Sequence, residues 1–565
     1  MRTSRIVGAR LQRNLSIGVF LTLGALLLQR STPLNAASNL TTVVDAAKAD
    51  DLSAVTRLIK ARADVNTPSS DGSSALLWAA FHSDADMAKS LLAAGASVDA
   101  ASRYGVTPLL QASRNGNAEM MKILLDAGAQ PSRWHPEGET PLMAASRTGN
   151  ADAVRLLLAK GSLVNAADPF QEQTALMWAA AEGHAEIVKL LLAAGADANL
   201  QAHVSQLTER RNADHPSGGF TALMFAARNG HRAAVEALMK GGANSKLTNA
   251  DSLTATSIAI INDRLDLAKE MLDLGADPND GALYFAVEMH DATTDTRAQD
   301  ATRMQPDHEN TMTALGLVKA LLDLKADPNK AVDGAIHSTS MCCGPTIHSS
   351  PIYRAALAGD VEVLKLLLAK GAQPDWSPAE VKEVDGKKPA AGVNANVGRT
   401  PAMLAMKGGG GPALQAGPGY SRSGPPPFRE AGSRDPIEAV KLLIAAGANA
   451  SAKGPDGNTL LHLAVQAQQL ETIKALAAAG AKLDEQNKDK LTALAVAEAM
   501  GAGRGGGPAG GANALTGAPT APGRGTPRAT RDDMVKLLRE LMHLPAEEPK
   551  PASLPAAAKE TTEPQ

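Results

Sequence analysis

TALMWAAAEGHAEIVKLLLAAGADANL, running from Thr174 to Leu200, decides how the whole chain is read. Thr174 can cap a short helix that places Leu176, Ala179 and Ala180 on one face, where the alanines are small enough for a neighbouring helix to approach closely. Gly183 ends that helix. A second helix carries Ile187, Val188, Leu190, Leu191 and Leu192, and Gly195 suits the left-handed position just past its end. A turn follows through Asp197 and Asn199. One such pair of helices cannot bury its apolar stripe alone and needs copies of itself to stack on.

The copies are present. A Gly-Ala or equivalent pair closes a Leu-rich segment at Arg62-Ala63, Gly95-Ala96, Gly128-Ala129, Gly161-Ser162 and Gly195-Ala196, with spacings of 33, 33, 33 and 34. The series continues at Gly242, Gly275, Lys325, Gly371, Gly447 and Gly480, with intervals of 47, 33, 50, 46, 76 and 33. The longer intervals are one repeat plus an insertion. A fixed period of this size marks a solenoid, in which each unit contacts only its neighbours. Composition agrees, because 44% hydrophobic residues with only 3% aromatics must build thin layers of Leu, Ala, Val, Ile and Met. That argues against a large globular enzyme core, although 565 residues would otherwise suggest three or four compact domains.

With TPLLQASRNGN at 107–117, TPLMAASRTGN at 140–150, TALMFAARNGH at 221–231 and TLLHLAVQAQQ at 459–469, the pattern resembles the ankyrin repeat. The resemblance spans residues 40 to 544 in about twelve units. It implies an all-α repeat solenoid, an array of helix-turn-helix units with β-turn fingers along one edge. Three places depart from the pattern: TATSIAIINDR in the unit at 253–280, Lys325 in place of glycine, and a last unit without its closing Gly-Ala. Looser packing is expected there.

The array divides into regular repeats over 38–200, repeats with insertions over 201–344, and repeats over 345–500 that contain a long Gly/Pro-rich insertion at 407–435. A low-complexity loop at 501–532, a terminal capping helix at 533–544 and a tail at 545–565 complete it. Insertions at 201–219, 331–350 and 377–398 fall between repeats and should extend the fingers. Those at 291–310, 407–435 and 501–532 fall between the two helices of a unit and should leave from the opposite edge. The two Gly/Pro-rich loops, like the tail, are expected to be disordered, because their composition offers too little apolar surface to offset the entropy of ordering.

Residues 1–37 read as a signal peptide or an N-terminal anchor. Arg2, Arg5, Arg10 and Arg13 precede the apolar run Ile17 to Leu28, followed by the small residues Ala36, Ala37 and Ser38. Twelve apolar residues are short for a membrane span, which needs about 20, and Leu34 or Asn35 would occupy the position where cleavage prefers a small residue. Both cleavage and retention as an inner-membrane anchor stay open. The expected location is exported, periplasmic or extracellular, and the frequent Ala, Gly and Arg suggest a bacterial source. Formal charge is −3 for the chain, and five arginines with no acid in residues 1–30 leave −8 for the rest. A globally basic nucleic-acid surface is not expected on such a body.

In the ankyrin family, partners commonly engage the fingers and the two positions after the paired alanines of each first helix. The resemblance places Phe81 and His82, Arg114 and Asn115, Arg147, Glu182, and Arg228 and Asn229 at those positions. Arginine recurs at one register, where it could form a cationic stripe for carboxylates or phosphates on a partner. Finger residues Arg103, Tyr104, Trp134, Phe170 and Phe220 add residue types enriched at binding hot spots. The alternative is a row of solvated arginines paired to neighbouring acids. Trp78, Trp178 and Phe225 share another register and read as packing between repeats, since Leu463 takes the same place elsewhere. His184, His231 and His462 stand where the ankyrin pattern favours histidine and read as structural hydrogen-bonding groups.

His337, Cys342, Cys343 and His348 form H-x4-C-C-x4-H inside one insertion. Thiolates with imidazoles could hold Zn²⁺ or Cu(I), but adjacent cysteines lack the separated spacing of zinc sites. A vicinal or intermolecular disulfide, or two ordinary thiols, are the other readings. Two cysteines cannot supply a disulfide framework for the fold. No Walker loop, H-E-x-x-H, G-x-S-x-G elbow or dinucleotide fingerprint occurs, and GYSRSG at 419–424 has no strand before it. The expected protein is therefore a monomeric, non-catalytic scaffold without cofactor, binding a protein partner through its concave face and fingers. Its rivals are a secreted effector acting on a foreign host protein and a metal- or redox-handling protein built on Cys342 and Cys343.

Overall fold

The computed structural model describes residues 40–205, 217–290, 310–332, 349–378, 380, 397–406, 435–500 and 529–545. Among them are 24 helices, which pack as consecutive pairs. Every first helix touches the first helix of the next pair and every second helix touches the next second helix, without a break from the pair at 43–60 to the pair at 493–541. The all-α solenoid is thus continuous past every insertion. Strand structure among the described residues is limited to two-residue strands, Val204–Ser205 against Ser217–Gly218, and a few isolated bridges such as Ala167 to Thr174.

The local chemistry repeats faithfully. Thr107, Thr140, Thr174, Thr221, Thr254, Thr459 and Thr492 each cap a first helix, the hydroxyl accepting the backbone N–H three residues on. Losing such a cap typically costs ~1 kcal/mol. In the repeat at 174–200, Leu176, Met177, Ala179, Ala180, Ile187, Val188 and Leu191 are buried, while Leu190 and Leu192 are partly so. Each fully buried Leu, Ile or Val side chain contributes about 1.5–3 kcal/mol. Stability accumulates unit by unit through these interfaces.

The glycine-histidine step of the motif has a spatial cause. Gly149, at φ +82°, leaves room for the His184 ring of the next repeat, and a Cβ there would lie 2.7 Å from its Cε1. Gly183 receives His231 in the same way, at 2.6 Å from its Nδ1. Each histidine then ties back to the preceding repeat: His184 Nε2–H donates to the Arg147 carbonyl at 3.0 Å and His231 Nε2–H to the Ala181 carbonyl at 2.9 Å. His462 donates from Nε2 to the Leu491 carbonyl at 2.9 Å and accepts at Nδ1 from the Thr459 hydroxyl at 2.8 Å. Asn and Asp in the turns link neighbours on the finger side, as when Asn165 Oδ1 accepts the Asp197 N–H and Asn199 Oδ1 accepts the Asn244 N–H, both at 2.8 Å.

The expected loosening at the atypical units does not occur. Lys325 adopts the left-handed conformation of the glycine it replaces, φ +66°, and its turn keeps the same bonds, Lys325 N–H to the Leu322 carbonyl and Ala326 N–H to the Leu321 carbonyl. Ile258, Ala259 and Ile260 of the unit at 253–280 are buried, as are Met534, Val535 and Leu538 of the terminal helix Arg531–Leu541. Pinning bonds restore register where the chain re-enters after residues 291–309: Asp266 accepts the N–H of Thr311 at 2.8 Å and of Met312 at 2.7 Å, and Asn310 accepts the Leu265 N–H at 3.1 Å. Hydrogen bonding to those amides holds the Asp266 carboxyl below its usual range against the opposing effect of burial. Asp435 N–H to the Gly359 carbonyl does the same after 407–434, and Arg531 to the Glu498 carbonyl after 501–528.

Candidate functional site

The C-terminal ends of the first helices form one row along the array, the concave face of the ankyrin fold, with the fingers at its border. The structure brings the predicted arginines into this row, but they do different things. Arg114 is spoken for: its Nε donates to Glu139 Oε2 at 2.8 Å, its NH2 also reaches that oxygen, and the pair is largely buried. Arg147 approaches the other carboxylate oxygen at 3.6 Å and lies over the Trp178 ring, 5.0 Å from its centroid. Arg228 has no carboxylate partner among the described residues. It stands over both Phe220 and Phe225, 5.3 Å from each centroid, and its Nε contacts Asn229 Oδ1 at 3.3 Å. Burial against the rings pushes its pKa below the ordinary arginine value.

The neighbouring register is largely structural. Asn115 donates to the carbonyls of Ala80 and Phe81, each at 3.1 Å, and Asn229 to the Ala181 carbonyl at 2.7 Å. His82 Nε2–H donates to the Lys48 carbonyl at 3.1 Å. Glu182 is exposed. Trp78 and Trp178 are half-buried and Phe225 is buried between repeats, as their shared register suggested.

Aromatic exposure is concentrated. Phe81 is 53% exposed, Tyr104 72%, Trp134 45% and Phe170 60%, and these are the strongly exposed aromatics among the described residues. Phe81 packs edge-on against Trp78 and His82, with ring centroids 5.5 and 5.2 Å away, and Lys48 lies 5.4 Å from the Trp78 centroid. Arg103 is exposed beside Tyr104 at a finger tip. The fingers interlock: Gly105, at φ +81°, abuts Pro136 of the next finger so closely that a Cβ would fall 2.1 Å from its ring. Phe220 is half-buried, its ring 5.3 Å from that of Phe225.

One groove of about 200 Å³ opens on this face, lined by Arg147, Gln173, Met177, Trp178, Ala181, Glu182 and Phe225. Sequence reasoning missed some of the residues that surround the arginines. Glu139, Gln173 and Phe220 all occupy the position directly before a capping threonine, and only Phe220 was singled out, as a finger residue. The repeat period was the signal that could have found the other two.

His337, Cys342, Cys343 and His348 lie outside the described residues. Among the described residues no group of His, Cys, Asp and Glu is arranged to hold a metal ion, and no helix is long and apolar enough to cross a membrane. A buried polar pair, absent from the sequence reading, joins His290 Nδ1 to Asp360 Oδ2 at 2.5 Å, and a second buried pair sets Arg354 Nε 3.7 Å from Glu288 Oε1.

The model of the ankyrin repeats (3 copies) family matches residues 43–135, 132–202, 203–282 and 429–503, more than half of the chain. Among solved structures, the human ASB11 ankyrin repeat domain is 29% identical, over 38% of this chain and 90% of that one, with a TM-score of 0.33. No curated protein matches. Family match, repeating caps and unbroken helix-pair stacking together show that the chain belongs to the ankyrin-repeat family.

Proposed function

We propose that this protein is an exported, non-catalytic scaffold that holds a protein partner on the concave face and fingers of residues 70–240. Ankyrin repeats imply protein partners, and the observation that carries the reading here is where the exposed rings are. Phe81, Tyr104, Trp134 and Phe170 all belong to the regular front of the array, and the row containing Arg147 and Arg228 runs beside them. Exposed aromatics beside arginine are the residue types from which binding hot spots are made. Phe81, Tyr104 and Phe170 each leave more than half of the residue in water. Export rests on the arginines and the apolar run of residues 2–28.

The test is affinity capture from the producing cell's envelope fraction, comparing the full chain with a Phe81→Ser, Tyr104→Ser, Phe170→Ser variant. All three rings are exposed, so the helix content and unfolding of the variant should match the parent. Loss of one specific partner supports the scaffold reading. Equal capture by parent and variant removes the aromatic face from it.

A further inference from the structure

The groove between Trp178 and Phe225 has properties that select its occupant. At about 200 Å³ it is smaller than the roughly 300–1,000 Å³ of clefts that enclose small-molecule ligands, and it suits one side chain. Met177, Ala181 and the two rings provide an apolar floor and walls. Above the walls stand two guanidinium groups, Arg147 on Trp178 and Arg228 on Phe225. Stacking leaves the edge donors of a guanidinium free for a forked contact.

The charge balance at these two cations is incomplete. Glu139 is already doubly engaged by Arg114, and its remaining oxygen stays 3.6 Å from Arg147 with no hydrogen bond. Arg228 meets no carboxylate among the described residues, only the Asn229 amide oxygen. A guanidinium stacked over two rings, with no carboxylate partner, gains from an incoming carboxylate. A second unmatched donor lies in the groove wall: the Trp178 indole N–H is out of solvent and has no acceptor. Glu182 also lines the groove and is exposed.

Resting on the scaffold reading above, we infer that this groove anchors a single acidic side chain of the partner, an aspartate or glutamate presented from an extended segment, with Arg228 and Arg147 as its counter-charges. The carboxylate lies between the guanidinium edges and its methylene stem lies on Met177 and the Trp178 ring. Neighbouring apolar residues of the same segment continue toward the exposed finger rings. A neutral or basic side chain in the groove would leave Arg228 without a carboxylate partner among the described residues.

The probe is a displayed library of random 12-residue peptides selected on the full-length chain, and in parallel on Arg228→Gln and Arg228→Lys variants that retain the parent's unfolding transition. Selection on the parent is expected to converge on peptides with Asp or Glu at one fixed position. Replacing that acid by its amide in a synthetic peptide should weaken binding about tenfold or more, the size of effect expected for a charge-assisted pair. Arg228→Gln should abolish the preference for the acid, and Arg228→Lys should partly keep it. Peptides that bind but carry no fixed acid, or whose acid is insensitive to Arg228→Gln, overturn the inference while leaving the scaffold reading intact. Absence of any enriched peptide counts against both, and retention of a cellular partner by the same chain then confines the failure to the groove.

Discussion

Arg114 of one repeat closes on Glu139, which precedes the cap of the next repeat, and so ties two units together through a largely buried ion pair. Replacing Glu139 by Gln removes the charge that neutralises Arg114 and leaves a partly buried guanidinium without its counter-charge. A loss of about 1–3 kcal/mol at this interface is expected. Amide hydrogen exchange in the helices Pro108–Arg114 and Pro141–Thr148 is the appropriate readout, because a long array need not unfold in two states. Unchanged protection in both helices would show that the pair is ornamental.

Gly149 and Gly161 separate two costs that glycine substitution usually mixes. Both have left-handed backbones, φ +82° and +84°, but a Cβ at Gly149 meets the His184 ring whereas one at Gly161 meets nothing within 4 Å. Gly161→Ala should cost only the backbone term, about 1–2 kcal/mol. Gly149→Ala should cost measurably more and should disturb the His184 bond to the Arg147 carbonyl, seen in the imidazole NMR signals. Equal destabilisation by the two substitutions would refute the account of the glycine-histidine step.

Asp360 both caps the helix Val361–Ala369, accepting the Val363 N–H at 3.1 Å, and holds the buried His290 ring. Asp360→Ala breaks the cap and strands a buried polar partner, for a combined loss of about 3–5 kcal/mol. Asp360→Asn retains an acceptor for the Val363 cap but presents an amide N–H to His290 in place of Oδ2, and should lose less than Asp360→Ala. Denaturant titration followed by exchange in residues 351–369 distinguishes them, and equal losses would mean that charge, not acceptance, governs the site.

Asp71 in the first finger is expected to titrate far below its neighbours. Bonds from the Ser69 hydroxyl, the Ser73 N–H at 3.1 Å and the Ser73 hydroxyl at 3.0 Å lower its pKa to about 2. Because the folded value lies below the unfolded one, the finger's stabilisation is complete above pH ~4 and declines as pH falls toward 2. Carboxyl NMR titration checks the midpoint. A value near 4 would show that the Ser-Asp-Ser turn does not persist in solution.

Much of this architecture was legible from local chemistry. Thr174, Gly183 and Gly195 act where the sequence placed them, because caps and left-handed turns are decided within a few residues. The expected looseness at Lys325 was wrong for an equally local reason: a left-handed lysine completes the same two turn bonds as glycine, and Leu321 and Leu322 stay packed. The roles of the arginines were not legible in the same way. Arg114, Arg147 and Arg228 share a register, yet Glu139, Trp178 and the pair Phe220 and Phe225 give them three different environments. Two of those environments come from a neighbouring repeat, and the third joins a residue before the cap to one after it. The first two emerge only when the units are laid side by side, and the third only when a finger residue is set against the helix that follows it.

In the scaffold proposed above, the partner sits on the first-helix row and the fingers of the front repeats. A photo-crosslinking amino acid placed singly at positions 81, 170 and 228, and at the exposed second-helix positions Lys89 and Lys122 as controls, tests it in the producing cell. One crosslinked protein species is expected, shared by positions 81, 170 and 228 and missing at 89 and 122. Crosslinks confined to 89 and 122 would contradict it.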